Sequence, residues 1–474
     1  MDNKDVESKA KRIEGLTSGT VSRRDFLKYA GVAGGTIAAA GGLGGLLAAC
    51  GSGTTTTTAA AGTATTAAGT ATTAAGTATT AAGTATTNAA LATRTKHMDS
   101  FYTLNNDFWT GFDAGCASAC EALNLDHYQA VDEFDVAKQK AFFEAAPAQG
   151  TKSATMILND EGSSTALIGA LAKAGVSCVN TYSTAPWVTP DQVDPFYAAF
   201  VNCNNVQGAY AVCKEMFTAL GGNGNFVHIE GVKGNSSSEE RTQGVDLALK
   251  EFPGIKMVAR QVGQYSRGGT QPVMEAIITA NPKIDVVFCQ NDDSGIGAIT
   301  ALKAAKLKPL VGGVDAIPEF LDLIASGDAY ATLGDNGPLI NGMATVMAFD
   351  VLHGYKPDIT ERMMYMGCYV IDTPEAAQLW KTTMYGGKLP YDWQLMSRVL
   401  HPDDWSAQSS WGSIEPDKFW AWRESEKPAG YAPSAAYASA DFAKTNALWA
   451  SHAGTDPLAA VVKLTKNPQQ KPLL

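Results

Sequence analysis

Amides and carboxylates stand directly after several short apolar runs: Asn159-Asp160, Gln290-Asn291-Asp292-Asp293 and Asp315. In open α/β sheets such positions follow the carboxyl ends of strands, where ligands bind. Their chemistry is hydrogen bonding, with amides donating and accepting and carboxylates accepting strongly from hydroxyls. Asn and Asp at the same places also cap helices. Asp160 and Asp293 read as caps, and Asn291 and Asp315 as ligand contacts. Covalent chemistry is not signalled: there is no P-loop, G-x-S-x-G or C-x-x-C, and Gly221-Gly222-Asn223-Gly224 reads as a loop. His127, His228 and His353 lack ligand spacing along the chain, so neither a metal nor a cofactor is expected.

The elements that must hold these residues are β/α repeats. Runs rich in Val, Ile and Phe predict strands over 154–158, 176–181, 226–229, 257–262, 284–289 and 310–314. Amphipathic stretches between them predict helices over 108–122, 133–146, 164–174, 206–220, 239–251, 271–280, 295–305 and 338–352. Near-continuous apolar strands alternating with helices mean parallel sheets covered on both faces. This is too much for one small sheet, so two α/β lobes are expected, with strand-end loops facing one another across a cleft.

Before the repeats comes an address. Ser22-Arg23-Arg24-Asp25-Phe26-Leu27-Lys28 and the later Leu47-Ala48-Ala49-Cys50 resemble a bacterial twin-arginine lipoprotein signal. Cleavage would leave Cys50 as a lipidated first residue, anchoring the chain to the extracytoplasmic side of a membrane. Residues 60–87 then hold four copies of Ala-Ala-Gly-Thr-Ala-Thr-Thr. No position of that repeat offers a large apolar side chain, so residues 50–96 read as a disordered linker rather than a coiled coil. Seven cysteines remain after Cys50, an odd number, and most read as buried free thiols. A net charge of -11 with pI near 5.1 excludes a nucleic-acid partner, which would want a basic surface.

Four ordered segments carry a family likeness: 103–109 (Thr-Leu-Asn-Asn-Asp-Phe-Trp), 231–241 (from Gly-Val-Lys-Gly-Asn-Ser to Glu240-Arg241), Gln290-Asn291-Asp292 and 313–318 (Gly-Val-Asp-Ala-Ile-Pro). From about Ser100 to Asp372 the chain resembles the ribose-binding-protein-like solute-binding proteins of ABC sugar importers. The resemblance implies the type 1 periplasmic binding protein fold: α/β, two Rossmann-like lobes with parallel sheets joined by a three-strand hinge, here followed by a C-terminal extension. It divides the chain into a signal (1–49), a linker (50–96), an N-terminal lobe (97–203 with 336–365), a C-terminal lobe (204–335 with 366–372) and an extension (373–474).

The resemblance also implies site residues. Asn106, Phe108 and Trp109 match the first-lobe loop whose rings sandwich a sugar, and Asn159 a polar strand-end contact. From the second lobe, Arg241 matches a sugar-binding arginine and Tyr265 an aromatic cover, while Asn291 and Asp315 match hydroxyl acceptors. Asp335 stands beside a hinge crossover, where many relatives have Gln. Pentose binders of the family carry Asp-Arg after the strand ending here at Thr181, whereas this chain has Tyr182-Ser183. Tyr182 therefore joins the candidate contacts, and ribose itself is not the expected ligand. A sugar suits such a set, since rings cover its C–H faces and planar charged groups engage paired hydroxyls. The partners implied are a monosaccharide or polyol and an ABC permease with its separate ATPase, the receptor being a monomer.

The last hundred residues lie beyond the likeness and hold seven of the nine Trp. They read as an extension wrapped on the lobes with Trp as anchors. Two rival functions are a receptor presenting ligand to a sensor kinase or chemoreceptor, and an exported carbohydrate-active enzyme with its glycan site in the Trp-rich extension.

Overall fold

The computed structural model describes residues 88–185, 187–419 and 429–474. The export motif, Cys50 and the repeats through 87 lie outside the described residues, as do Trp420 and Trp422. Part of the expected linker (50–96) is regular structure. Asn88 caps a short 3-10 turn at Ala89–Leu91, and the first strand, β1, is Thr95–Phe101.

The chain continues through α1 (Asp107–Ala122), β2 (Leu125–Val131), α2 (Val136–Ala145), β3 (Thr151–Ile157), α3 (Ser164–Lys173), β4 (Ser177–Thr181) and β5 (Tyr197–Cys203). It then forms α4 (Asn205–Ala219), β6 (Asn223–Glu230), α5 (Ser236–Glu251), β7 (Gly254–Val262), α6 (Arg267–Ala280) and β8 (Val286–Cys289). Next come α7 (Asp292–Ala304), β9 (Leu310–Val314), α8 (Pro318–Ser326), β10 (Ala331–Gly334), α9 (Gly337–Leu352), β11 (Met363–Met366) and β12 (Tyr369–Ile371).

Two sheets result. One has the order β13-β11-β5-β4-β3-β1-β2, where β13 is Trp411–Ser413; the other has the order β12-β10-β9-β8-β6-β7. Pairing is parallel except at β11–β13 and β10–β12. Parallel strands need covered crossovers, and the helices supply them. The central strand β8 is an unbroken apolar run, Val-Val-Phe-Cys, with all four residues buried. Short chain passages between the sheets fall at 203–205, 335–337 and 366–369, and the extension makes a fourth, long one from β12 to β13.

Strands β1, β2, β5 and β10–β13 escaped the apolar-run reading for physical reasons. β1 carries His97 and Asp99, both fully buried. β2 is an edge strand with exposed polar residues, and β10–β13 are four residues or fewer. Asp160 caps its 3-10 turn, accepting from the Ser163 amide. Asp293 does not cap: it lies within the first turn of α7 and pairs with Arg267 at 2.6 Å. Asn291 caps instead.

The extension packs on both lobes. Its helix α10 (Pro374–Tyr385) buries Trp380 against Gly334, where a side chain of any size would collide with the indole. Trp393 donates to Ser118 Oγ at 2.9 Å, and Asn336 beside the second crossover donates to the Tyr391 hydroxyl at 2.7 Å. Trp405, Trp411 and Trp449 form a second cluster, with the Trp449 indole bonded to Glu361 Oε1 at 3.0 Å. All five described Trp of this region are buried. The seven cysteines after Cys50 are all free and buried. Among the described residues no helix is long and apolar enough to cross a membrane.

Candidate functional site

The residues singled out from sequence gather at strand carboxyl ends and at the crossovers between sheets. Asn106 precedes α1 with extended backbone (φ -144°) and its Oδ1 accepts from the Trp109 amide at 3.1 Å. That cap fixes the start of α1, so Phe108 and Trp109 occupy its first turn. The half-buried Phe108 ring meets Trp109 edge-on at 4.8 Å and Tyr182 at 5.8 Å. Trp109 is 9% exposed and lies among Phe101, Tyr102, Phe108 and Phe112. It is therefore a core residue as well as a candidate contact, and truncating it would disturb the lobe.

Arg241 is buried on α5 and does not form a surface pair with its neighbours Glu239 and Glu240. Its Nε donates to Asn205 Oδ1 at 2.8 Å, and Nη1 donates to the Gln290 carbonyl. Nη2 stands 3.7 Å from Asp335 Oδ2, and the guanidinium lies 6.0 Å from the Tyr265 ring centre. Burial opposes its charge, but Tyr265, Asp315, Cys203 and Asp335 hold the proton on and raise its pKa. Asp315 is raised well above the carboxylate range by burial and by Asp335. Asp335 is pushed up to about 6 by burial, against the opposing pull of Arg241 and the nearby Tyr182 hydroxyl.

Backbone conformation marks the same residues. Tyr182 (φ 55°), Tyr265 (φ 52°), Asp315 (φ 117°) and Asn336 (φ 46°) are left-handed without being glycine. Such strain persists where surrounding structure over-determines it, and it concentrates at binding sites. Tyr265 lies over Gly231, with its ring 2.0 Å from where a Cβ would be. Only glycine admits that ring.

Several polar atoms here lack hydrogen-bond partners: Tyr182 Oη, Tyr265 Oη and both Asp335 carboxylate oxygens. Buried polar groups are ordinarily satisfied, so these need an explanation. Asn291 is different. Its Oδ1 accepts from Ser294 and its Nδ2 donates to the Tyr265 carbonyl at 3.2 Å, so its amide already serves as cap and loop anchor. Asn159 is turned toward Asp132, whose carboxyl is raised to about 6 chiefly by burial. The structure brings Phe108, Tyr182, Arg241, Tyr265, Asp315 and Asp335 together, with Asn106 and Asn291 as helix caps at the edge and Asn159, whose Nδ2 also lacks a partner, beside Asp132.

Sequence reading missed Asn205 and Gln290, which orient Arg241. Gln290 also accepts from the Gly231 amide (2.7 Å) and the Ser238 hydroxyl (2.7 Å), clamping the start of α5. Their signal was present as polar residues flanking buried strands. The lobes meet across the site: Ser236 Oγ at the start of α5 donates to Glu161 Oε1 and accepts from the Thr184 amide at 3.3 Å. Away from the cleft, ligand atoms of His97, Cys116 and Cys120, and of Asp99, Cys116 and His127, lie within 4.8 Å of one another. These groups join α1 to β1 and β2, so no spacing along the chain announces them.

Two parallel-sheet lobes, three crossovers and a polar, aromatic-lined seam define a two-lobed solute-binding protein. Residues 100–356 match the periplasmic binding protein domain family. The D-apiose import binding protein of Paraburkholderia graminis is 31% identical over 223 residues, covering 47% of this chain and 70% of that protein. The D-allose-binding periplasmic protein of Escherichia coli is 30% identical, covering 49% and 77%. A crystal structure of a twin-arginine translocation pathway signal protein from Burkholderia phytofirmans superimposes with a TM-score of 0.57 at 26% identity, covering 60% of this chain and 91% of that one. The chain belongs to the type 1 periplasmic sugar-binding proteins of ABC importers. Both sequence relatives are binding proteins.

Proposed function

We propose that the chain is an extracytoplasmic receptor that binds one monosaccharide or polyol between its lobes and delivers it to an ABC permease powered by a separate ATPase. The observation that carries this reading is the set of buried oxygens without a hydrogen-bond partner, on Tyr182, Tyr265 and Asp335, grouped around the Arg241 guanidinium, which stands 3.7 Å from Asp335. A neutral polyhydroxyl ligand answers that set. Its hydroxyls bond to Asp335 and Asp315 and accept from Arg241, and bonds to the charged partners are about twice as strong as neutral ones. Phe108 and Tyr265 cover its apolar faces. Binding stabilises the closed arrangement of the lobes, drawing the open–closed equilibrium toward it.

Lipidation at Cys50 and the Thr/Ala/Gly spacer would hold the body off the membrane after twin-arginine export. The absence of Asp-Arg at 182–183 argues for a ligand other than ribose. A thermal-shift screen of aldoses, their furanose-rich members and polyols tests the proposal, because bound ligand raises apparent stability by mass action. One or a few members should raise the melting temperature in a saturable way, with ribose among the weak ones. A screen in which ribose gives the largest shift would refute the reading of Tyr182.

A further inference from the structure

The core face of β1, β2 and β3 beneath α1 is chemically unlike the rest of the first lobe. Parallel pairing sets His97 beside His127 on one side and beside Ser153 on the other. Above them α1 presents Asp113, Cys116 and Cys120, one turn apart on one face. The Cys116 and Cys120 sulfurs are 3.8 Å apart, too far for a disulfide. That separation is what two thiolates about 2.3 Å from a tetrahedral ion would adopt, about 3.8 Å.

We propose that this pocket is a structural zinc site, with the converging His97, Cys116 and Cys120 as three ligands and His127, which converges with Cys116 and Asp99 instead, moving in as the fourth. Cys116 belongs to both clusters of converging ligand atoms, one with His97 and Cys120 and one with Asp99 and His127. His97 already has an outer hydrogen bond on one nitrogen, whereas His127 has an outer carboxylate at ion-pair distance only. Ser153 Oγ is 2.8 Å from His97 Nδ1, and Asp113 Oδ1 is 3.1 Å from His127 Nε2. Asp113 is itself held by Gln129 at 2.7 Å. Metal-bound histidines characteristically carry such an outer hydrogen bond, which fixes the tautomer and turns the other nitrogen to the ion. The remaining contact of His97, Nε2 to Thr155 Oγ1, is long at 3.3 Å and is the one the ion would replace.

Charge favours the same occupant. Two thiolates, two neutral imidazoles and one Zn²⁺ sum to zero, so those five groups add no net charge beside the buried Asp99. Binding releases the two thiol protons and any proton carried by a ligating imidazole, and it changes no oxidation state. Soft sulfur with imidazole selects zinc over magnesium or calcium. The site lies in the core of one lobe and does not depend on the sugar-binding reading.

The experiment uses the full chain purified with reductant, assayed for bound metal and titrated with Co²⁺. The expected result is about one zinc per chain, with cobalt giving thiolate-to-metal charge-transfer absorption that zinc abolishes. Cys116→Ser and Cys120→Ser should remove that absorption, whereas Cys213→Ser in the other lobe should leave it intact. Asp113→Asn should retain it with affinity about 10–100-fold weaker. Absence of charge transfer, its survival in the Cys116→Ser/Cys120→Ser double variant, or displacement by copper(I) but not by zinc would each overturn the assignment. Should the serine variants fail to fold, alkylation of the wild type decides. Zinc should shield two thiols that a chelator exposes, and equal labelling with and without zinc would leave only a hydrogen-bonded polar cluster.

Discussion

Replacing Arg241 by Met keeps side-chain length and apolar volume while deleting the one cation placed among Asp335 and Asp315. At 3.7 Å and an effective dielectric of about 20, the Arg241–Asp335 attraction is about 4 kcal/mol. The variant also loses the hydrogen bonds to Asn205 and Gln290. Leaving one charge of a buried pair uncompensated costs about 3–5 kcal/mol, and that loss is expected at pH 7. The pH dependence identifies the cause. Asp335 already sits at about 6 in the folded chain, above its ordinary value of 3.8, so its ionised form is disfavoured by folding. Stability from such a group is gained as pH falls through the folded value. Without Arg241 the folded pKa climbs further, so the deficit should shrink by about 1 kcal/mol between pH 7 and pH 5, because only the interval from pH 7 down to the wild-type value of about 6 contributes. The double variant Arg241→Met/Asp335→Asn should recover most of the loss. Denaturant unfolding followed by tryptophan fluorescence measures all of this. A loss below about 1 kcal/mol, or a deficit that stays constant from pH 7 to pH 5, would refute the compensating role of Arg241.

Three further outcomes are expected. Gly231→Ala places a Cβ inside the Tyr265 ring, so the ring must swing away; ligand affinity should fall about tenfold or more while the melting temperature of the free protein moves little. Trp393→Ala removes an indole packed on Gly342 and bonded to Ser118, and should destabilise the free protein by about 3–5 kcal/mol in denaturant unfolding. Arg23→Lys/Arg24→Lys should leave the chain in the cytoplasm with Cys50 unmodified, read by cell fractionation and mass spectrometry; normal surface display would reject the twin-arginine proposal.

The alternating pattern of apolar runs and amphipathic helices made the two-sheet architecture legible, because central strands such as β8 have nothing but core to face. Edge and polar strands were not legible. β2 exposes Asp126 and Gln129, and β1 hides His97 and Asp99 in a polar core that no hydropathy rule anticipates. Capping explains a second class of error. Asn291 and Asp293 offer the same chemistry two residues apart, and only the register of α7 shows that Asn291 is the cap. Arg241 could not be placed from sequence because Glu239 and Glu240 adjoin it. The fold sends Glu240 to Asn205 and the guanidinium to Asp335. The extension's Trp residues were readable as anchors by composition, but their seats on Gly334 and Ser118 come from tertiary packing alone.

The most direct test of the sugar-receptor account is calorimetric titration of the purified chain with the best member of the thermal-shift panel, beside Asp335→Asn. The account predicts saturable binding of one ligand per chain and a loss of about tenfold or more in the variant, which keeps shape but gives up the charged acceptor. No saturable heat from any sugar or polyol, or equal affinity in Asp335→Asn, would contradict it.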